Sequence, residues 1–178
     1  MNRNCLFIVA LAVAGVLCGC AGWHGQAATT PTAEEIRAHA LVEAKRQNKR
    51  VLLWFVDSNS IWSDCLDEFH AAADAAAILH RYFVLARIHL RDTPGGEQLY
   101  LETGGIRGAP AFSLLDANGA LLADSGSDED HNIGFPTKPY ELESYRDAIQ
   151  AACPEVTEDE LDLLHETLVK IRQRQAPP

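Results

Sequence analysis

The sequence predicts an α/β sandwich with a mixed sheet, and three observations carry that expectation. Two apolar runs, residues 51–56 and 82–89, flank an alanine-rich helical stretch. Asn118-Gly119 separates two further apolar segments, residues 111–115 and 120–123, which is a strong hairpin signal. Helical patterns precede, divide and follow these strands, the alternation expected of sheet and helix layers around one core. A chain of 178 residues suits one domain of ordinary size with a remainder. With 47% apolar and 22% charged residues, a packed core is expected rather than disorder.

Each element has a local reason. Thr32-Ala33-Glu34-Glu35 is a capping box, Thr at the N-cap and Glu three residues on, and starts an amphipathic helix that ends around Asn48-Lys49. Val51-Leu52-Leu53-Trp54-Phe55-Val56 is apolar without alternation, as in a strand covered on both faces. Asp57-Ser58-Asn59-Ser60 breaks it. Residues 62–80 read as a helix, 82–89 as a second buried strand, and 94–102 as a short helix ended by Gly104-Gly105. After the hairpin, a polar loop over 125–138 leads through Pro139 into a helix reaching about Ala152. Thr157-Glu158-Asp159-Glu160 caps a last helix with Leu161, Leu164, Leu168 and Ile171 on one face. No internal repeat is present.

Charge excludes some functions. Acidic residues number 25 against 15 basic, a net −10. Between Asp116 and Glu166 fourteen acids face only Lys138 and Arg146, so that stretch alone carries −12. Phosphate binding needs a basic face, so nucleic acid is not an expected partner. No polybasic patch is available for an anionic membrane surface either.

The first residues read as an address. Arg3 precedes an uncharged run from Cys5 to Leu17, which rises about 20 Å as a helix against a hydrocarbon core of about 30 Å. A secretory signal fits better than a membrane span. Leu17-Cys18-Gly19-Cys20 resembles the bacterial lipobox, which implies cleavage before Cys20 and lipid on its thiol. The division expected is a lipoprotein signal peptide (1–19), a small and polar tether (20–31), the folded domain (32–152) and a C-terminal helical extension (153–178). The implied place is the bacterial cell envelope, facing the periplasm and held to a membrane through lipid on Cys20. Ala21 in place of a retaining Asp leans this towards the outer membrane. The alternative is cleavage near Ala27 or Ala28 and a soluble periplasmic product. In either case only Cys65 and Cys153 remain as possible thiols of the folded part.

The element order, together with Gly105-Ile106-Arg107-Gly108-Ala109-Pro110 before a strand and the Asn-Gly hairpin, resembles the thioredoxin-like superfamily, and in particular its periplasmic branch. The likeness runs from about Thr32 to Ala152. It implies a three-layer α/β/α sandwich with a central mixed sheet, to which the last helix is an addition. In that family two cysteines separated by two residues open the helix after the first long strand. Here the stretch reads Ile61-Trp62-Ser63-Asp64-Cys65. Cys65 matches the second cysteine, and Trp62 stands where the first, nucleophilic one belongs. Without that nucleophile the two-thiol exchange cycle cannot run. The family's buried carboxylate aligns with Trp54, and Asp64, Asp67 and Glu68 are expected to oppose a thiolate at Cys65. Pro110 aligns with the family's cis-proline, which implies that Ala109 offers its backbone to an extended peptide. Cys153 is not an expected disulfide partner of Cys65, since its helix would start near the site and run away from it.

Other chemistry finds less support. Asp128-Glu129-Asp130-His131, with His70 or Asp64 nearby, reads as a solvated acidic face, and its spacing resembles no zinc motif. No metal and no cofactor is expected. Ser60 and Ser63 lack a recognisable base. Three functions are therefore distinguished. The first is a peptide- or protein-binding accessory module of the envelope, using the groove by Pro110 and the loop from His131 to Pro136. The second is an enzyme, with Cys65 acting as a one-cysteine thiol–disulfide redox residue. The third is a structural subunit that docks its acidic half and the Leu161–Ile171 stripe onto an envelope assembly.

Overall fold

The computed structural model of the chain describes residues 30–104, 108–128 and 131–175. The signal, the lipobox with Cys20, most of the tether, and Gly105-Ile106-Arg107 lie outside them. Helix α1 (Ala33–Gln47) starts on the expected box, with the Thr32 hydroxyl accepting from the Glu35 amide and the Glu35 carboxylate accepting from the Thr32 amide. Asn48 ends it in the left-handed conformation, φ 53°. Strand β1 (Arg50–Val56) follows, then α2 (Ile61–Ala71), α3 (Ala73–Tyr82) and β2 (Phe83–His89). Next come α4 (Gly96–Glu102), β3 (Ala111–Leu115), β4 (Leu121–Asp124), α5 (Pro139–Ala152) and α6 (Glu158–Gln175).

The sheet order is β2-β1-β3-β4, with β2 parallel to β1 and the other pairs antiparallel. The central strand β1 is covered on both sides, and its alternation assigns the two faces. Val51, Leu53 and Phe55 point to one core with Ala40 and Ala44 of α1 and Leu99 of α4. Leu52 and Trp54 point to the other, where Leu66, Phe69, Leu79 and Ile149 gather from α2, α3 and α5.

Three expectations need correction. The single helix over 62–80 is two helices, broken at Ala72, which is extended with ψ 131°. Alanine favours helix, so the break is set by packing of both pieces onto the sheet and not by local preference. The polar loop over 125–138 holds a small antiparallel pair, Gly126–Asp128 with His131–Asn132. The Leu161–Ile171 stripe is not a free docking face. Leu161, Leu164, Leu168 and Ile171 are each at most 2% exposed and join the same core as Leu66 and Phe69. At about 2 kcal/mol for each buried side chain, an upper bound, α6 is held by the domain it covers.

Candidate functional site

The site forms where β1 ends and α2 begins. Ser60 caps α2, its hydroxyl accepting from the Ser63 amide at 3.4 Å. The Ser63 hydroxyl in turn accepts from the Asp57 amide at 3.1 Å. Both serines are therefore occupied in building the turn. One residue into α2, Trp62 is 40% exposed and stacks on Phe135, with centroids 6.1 Å apart and planes 15° apart. Across from it Gly108, Ala109 and Pro110 lead into β3, and the Ala109–Pro110 peptide is cis. With Asn132, Gly134, Thr137 and Glu141 these residues line an open groove of about 320 Å³.

A parallel β1–β2 pair flanked by antiparallel β3 and β4 on the other side of β1, with a cis-proline opposite the start of the helix after β1, decides the architecture. The fold is thioredoxin-like. No protein-family model matches the chain, and no curated protein does. Among solved structures it is similar to a disulphide isomerase from Xylella fastidiosa Temecula1, at 16% identity over 76% of this chain and 87% of that one, with a TM-score of 0.48. It is also similar to a thioredoxin from Thermus thermophilus (20% identity, 66% and 88% covered, TM-score 0.43). A third is the C-terminal domain of Neisseria meningitidis DsbD in its oxidised form (22% identity, 68% and 99% covered, TM-score 0.41). These figures carry no residue role across, and the architecture is read from this chain's own strand order.

Cys65, one turn beyond Trp62, is 1% exposed and a free thiol. Burial pushes its pKa up, Glu68 and Asp64 push the same way, and only the Arg174 charge opposes them. Asp67, expected to join those acids, faces elsewhere. It lies two positions from Cys65, on another side of the helix, where its carboxylate accepts from Trp54 Nε1 at 2.8 Å and from Arg87 Nε at 2.8 Å. Burial would raise the Asp67 carboxyl, but Arg87 and Trp54 outweigh it and hold it below its usual range. Trp54 thus meets an acid across the core surface, not at the thiol. Cys153 is also free and fully buried, at the far end of α5 from the groove.

The loop from His131 to Pro136 does reach Pro110, but it is mostly core. Ile133 and Phe135 are each 3% exposed. What it offers the groove is the Asn132 amide, whose nitrogen donates to the Pro110 carbonyl at 2.9 Å and the Gly108 carbonyl at 3.2 Å. Gly134 has φ 46°, and a Cβ there would run into the Pro110 carbonyl oxygen, so only glycine lets the loop close on the cis-proline. Sequence reading placed the loop holding Asn132 at the groove without its role, and missed Thr137 and Glu141. Glu141 is 6% exposed, and its Oε2 accepts from the Thr137 amide at 2.7 Å, the Thr137 hydroxyl at 2.8 Å and the Lys138 amide at 2.9 Å. Burial would raise its pKa, and those bonds hold it low. The Thr137-Lys138-Pro139-Tyr140-Glu141 pattern, an acid three residues after the helix start, was the available signal. Among the described residues, no hydrogen bond engages the Ala109 N–H or C=O.

A second polar group lies where β1 and β2 end. Ser58 donates to Asp92 Oδ2 at 2.6 Å and is 3.4 Å from His89 Nδ1. Arg87 NH1 is 2.5 Å from His89 Nε2 and can only donate, which assigns the ring proton to Nδ1. That tautomer cannot take a proton from Ser58, so this is not a nucleophile–base pair. Among the described residues no cluster of three His, Cys, Asp or Glu could hold a metal. No described helix is long and apolar enough to cross a membrane.

Proposed function

We propose that the chain is a secreted, lipid-anchored thioredoxin-like protein without dithiol chemistry, serving as a peptide- or protein-binding accessory module in the bacterial cell envelope. The observation that carries the reading is Trp62: an exposed ring, not a thiol, stands at the helix start opposite the cis Ala109–Pro110 bond. An extended segment would pair with the unengaged N–H and C=O of Ala109, as in strand addition, and lay a side chain on Trp62. Cys65 is closed over at 1% exposure and its thiolate is disfavoured, so nothing in the groove would attack a disulfide. Cys20, Leu17 and the apolar run before them support the anchor, and Ala21 supports the outer membrane.

The test is direct. The chain is expected to leave insulin unreduced with dithiothreitol as electron source, and to bind an extended apolar peptide with a change in Trp62 emission. Turnover comparable to a two-cysteine thioredoxin, lost in Cys65→Ser, would overturn the reading. Cys20→Ala is expected to leave uncleaved precursor and abolish lipid labelling, and a wild type cleaved efficiently without lipid would remove the anchor from it.

A further inference from the structure

The sheet ends at β4, which pairs with β3 on one side and with no described strand on the other. Edge strands are ordinarily blunted by charge, because their free N–H and C=O groups invite a further strand. This one reads Leu121-Leu122-Ala123-Asp124, with its single charge at the last residue. The two leucines are 45% and 40% exposed. Leu115 pairs with Leu121 and Leu114 with Ala123, so Leu122 is the extra residue of a bulge and faces no partner on β3.

Beside this edge runs α5, and between the two lies a second open groove of about 530 Å³. Leu121, Leu122, Asp124, Ser144, Asp147 and Ala151 are among its walls, and it shares no lining residue with the groove at Trp62. Its only charges are the carboxylates of Asp124 and Asp147. Glu143 stands one turn before Asp147 on the same side of α5, a like-charge pair that a cation would relieve. Asp124 accepts from the Gly126 amide at 2.7 Å, and among the described residues no cation pairs with either aspartate. The two basic residues of this acidic half are already committed, Lys138 to Glu141 and Arg146 to Glu158 and Asp162. We propose that the free edge of β4 is a docking site for an extended basic segment of another protein. The segment adds a strand to the sheet, sets its cations against Asp124 and Asp147, and packs its apolar side chains on Leu121 and Leu122. A second copy of this chain is the wrong occupant, since it would bring the same acids face to face. The four residues of β4 span about 13 Å, so backbone pairing is brief and charge supplies much of the affinity.

The experiment titrates the full chain with the capped peptide Lys-Val-Lys-Val-Lys and follows the backbone amide resonances. Shifts are expected in Leu121 to Asp124, with the indole resonance of Trp62 unmoved. Affinity should fall about tenfold as salt rises to about 150 mM, where charges beyond roughly 8 Å are screened. Asp147→Lys, at an exposed helix position, turns an attraction into a repulsion and should weaken binding about tenfold with the fold intact. Capped Glu-Val-Glu-Val-Glu should not bind. Spermidine, of equal charge to the basic peptide but without a backbone to pair, should bind more weakly and leave the β4 amides in place. No binding of the basic peptide, shifts that miss β4, or undiminished affinity in Asp147→Lys overturns the proposal. Spermidine bound as tightly as the peptide reduces the site to charge alone and overturns it too. So do β4 amides that shift with protein concentration and no peptide, because the occupant is then a second copy.

Discussion

Trp54 and Trp62 lie eight residues apart, and the fold treats them in opposite ways. Trp54 sits on the central strand, its ring 4.5 Å from that of His70 and its Nε1 donating to Asp67, which Arg87 holds from the other side. Its half-buried apolar body packs against the core, and its polar tip is paired. Trp62 has one ring face on Phe135 and the rest in solvent, with no hydrogen bond from its indole nitrogen among the described residues. An aromatic side chain with every contact satisfied stabilises; one left half open is available to a partner. Trp54 is held by its own fold, and Trp62 leaves part of its ring open at the groove.

The comparison can be broken first at Trp54. Trp54→Ala is expected to cost about 3 kcal/mol in denaturant unfolding, since it empties part of the core and leaves the Asp67–Arg87 pair without its indole donor. A loss below 1 kcal/mol would mean that the ring is not structural. Next comes its neighbour His70, buried with Nδ1 unpartnered and its pKa depressed to about 3, by burial above all. The folded value lies below the ordinary 6.5, so the unfolded chain binds the extra proton between those values. Stability is then full above about pH 6.5 and falls as the pH drops towards 3, by about 2 kcal/mol between pH 7 and 5. His70→Phe should flatten that slope in unfolding curves taken at each pH, and an unchanged slope would point to another group. The smallest effect is at Trp62, where Trp62→Ala should cost less than about 1 kcal/mol because the ring is so exposed. At the same position Trp62→Cys is expected to form a redox pair with Cys65, slower than an ordinary thioredoxin because Asp64 and Glu68 oppose the thiolates. Equilibration with glutathione followed by alkylation and mass reads it, and two thiols that stay reduced would mean that Trp62 does not occupy the nucleophile's place.

The elements that rest on local chemistry were legible in the sequence. Thr32 with Glu35, Thr157 with Glu160, and the Asn118-Gly119 turn all act within a few residues of themselves. The continuous run of β1 signalled cover on both faces, which is what alternation into two cores requires. What could not be read depended on contacts between distant residues. The break at Ala72 is a matter of how α2 and α3 pack, and the groove role of Asn132 depends on carbonyls more than twenty residues away. Asp67 was misassigned by counting proximity along the chain, where two residues of a helix point to different sides. The juxtaposition of Trp62 with Ala109 and Pro110 was visible only through resemblance, since nothing in either segment alone calls for the other.

The two buried thiols give the molecule a pair of internal clocks. Cys65 lies under the start of α2 and Cys153 at the end of α5, at 1% and 0% exposure, and burial raises the pKa of both. Neither reacts with an alkylating reagent until its own region opens. The labelling rate at each, separated by mass, therefore times the opening of the groove end of the domain independently of the opposite end. If the helix carrying Trp62 breathes to admit a partner while the far end stays shut, Cys65 will be marked first, and the ratio of the two rates measures how local that motion is.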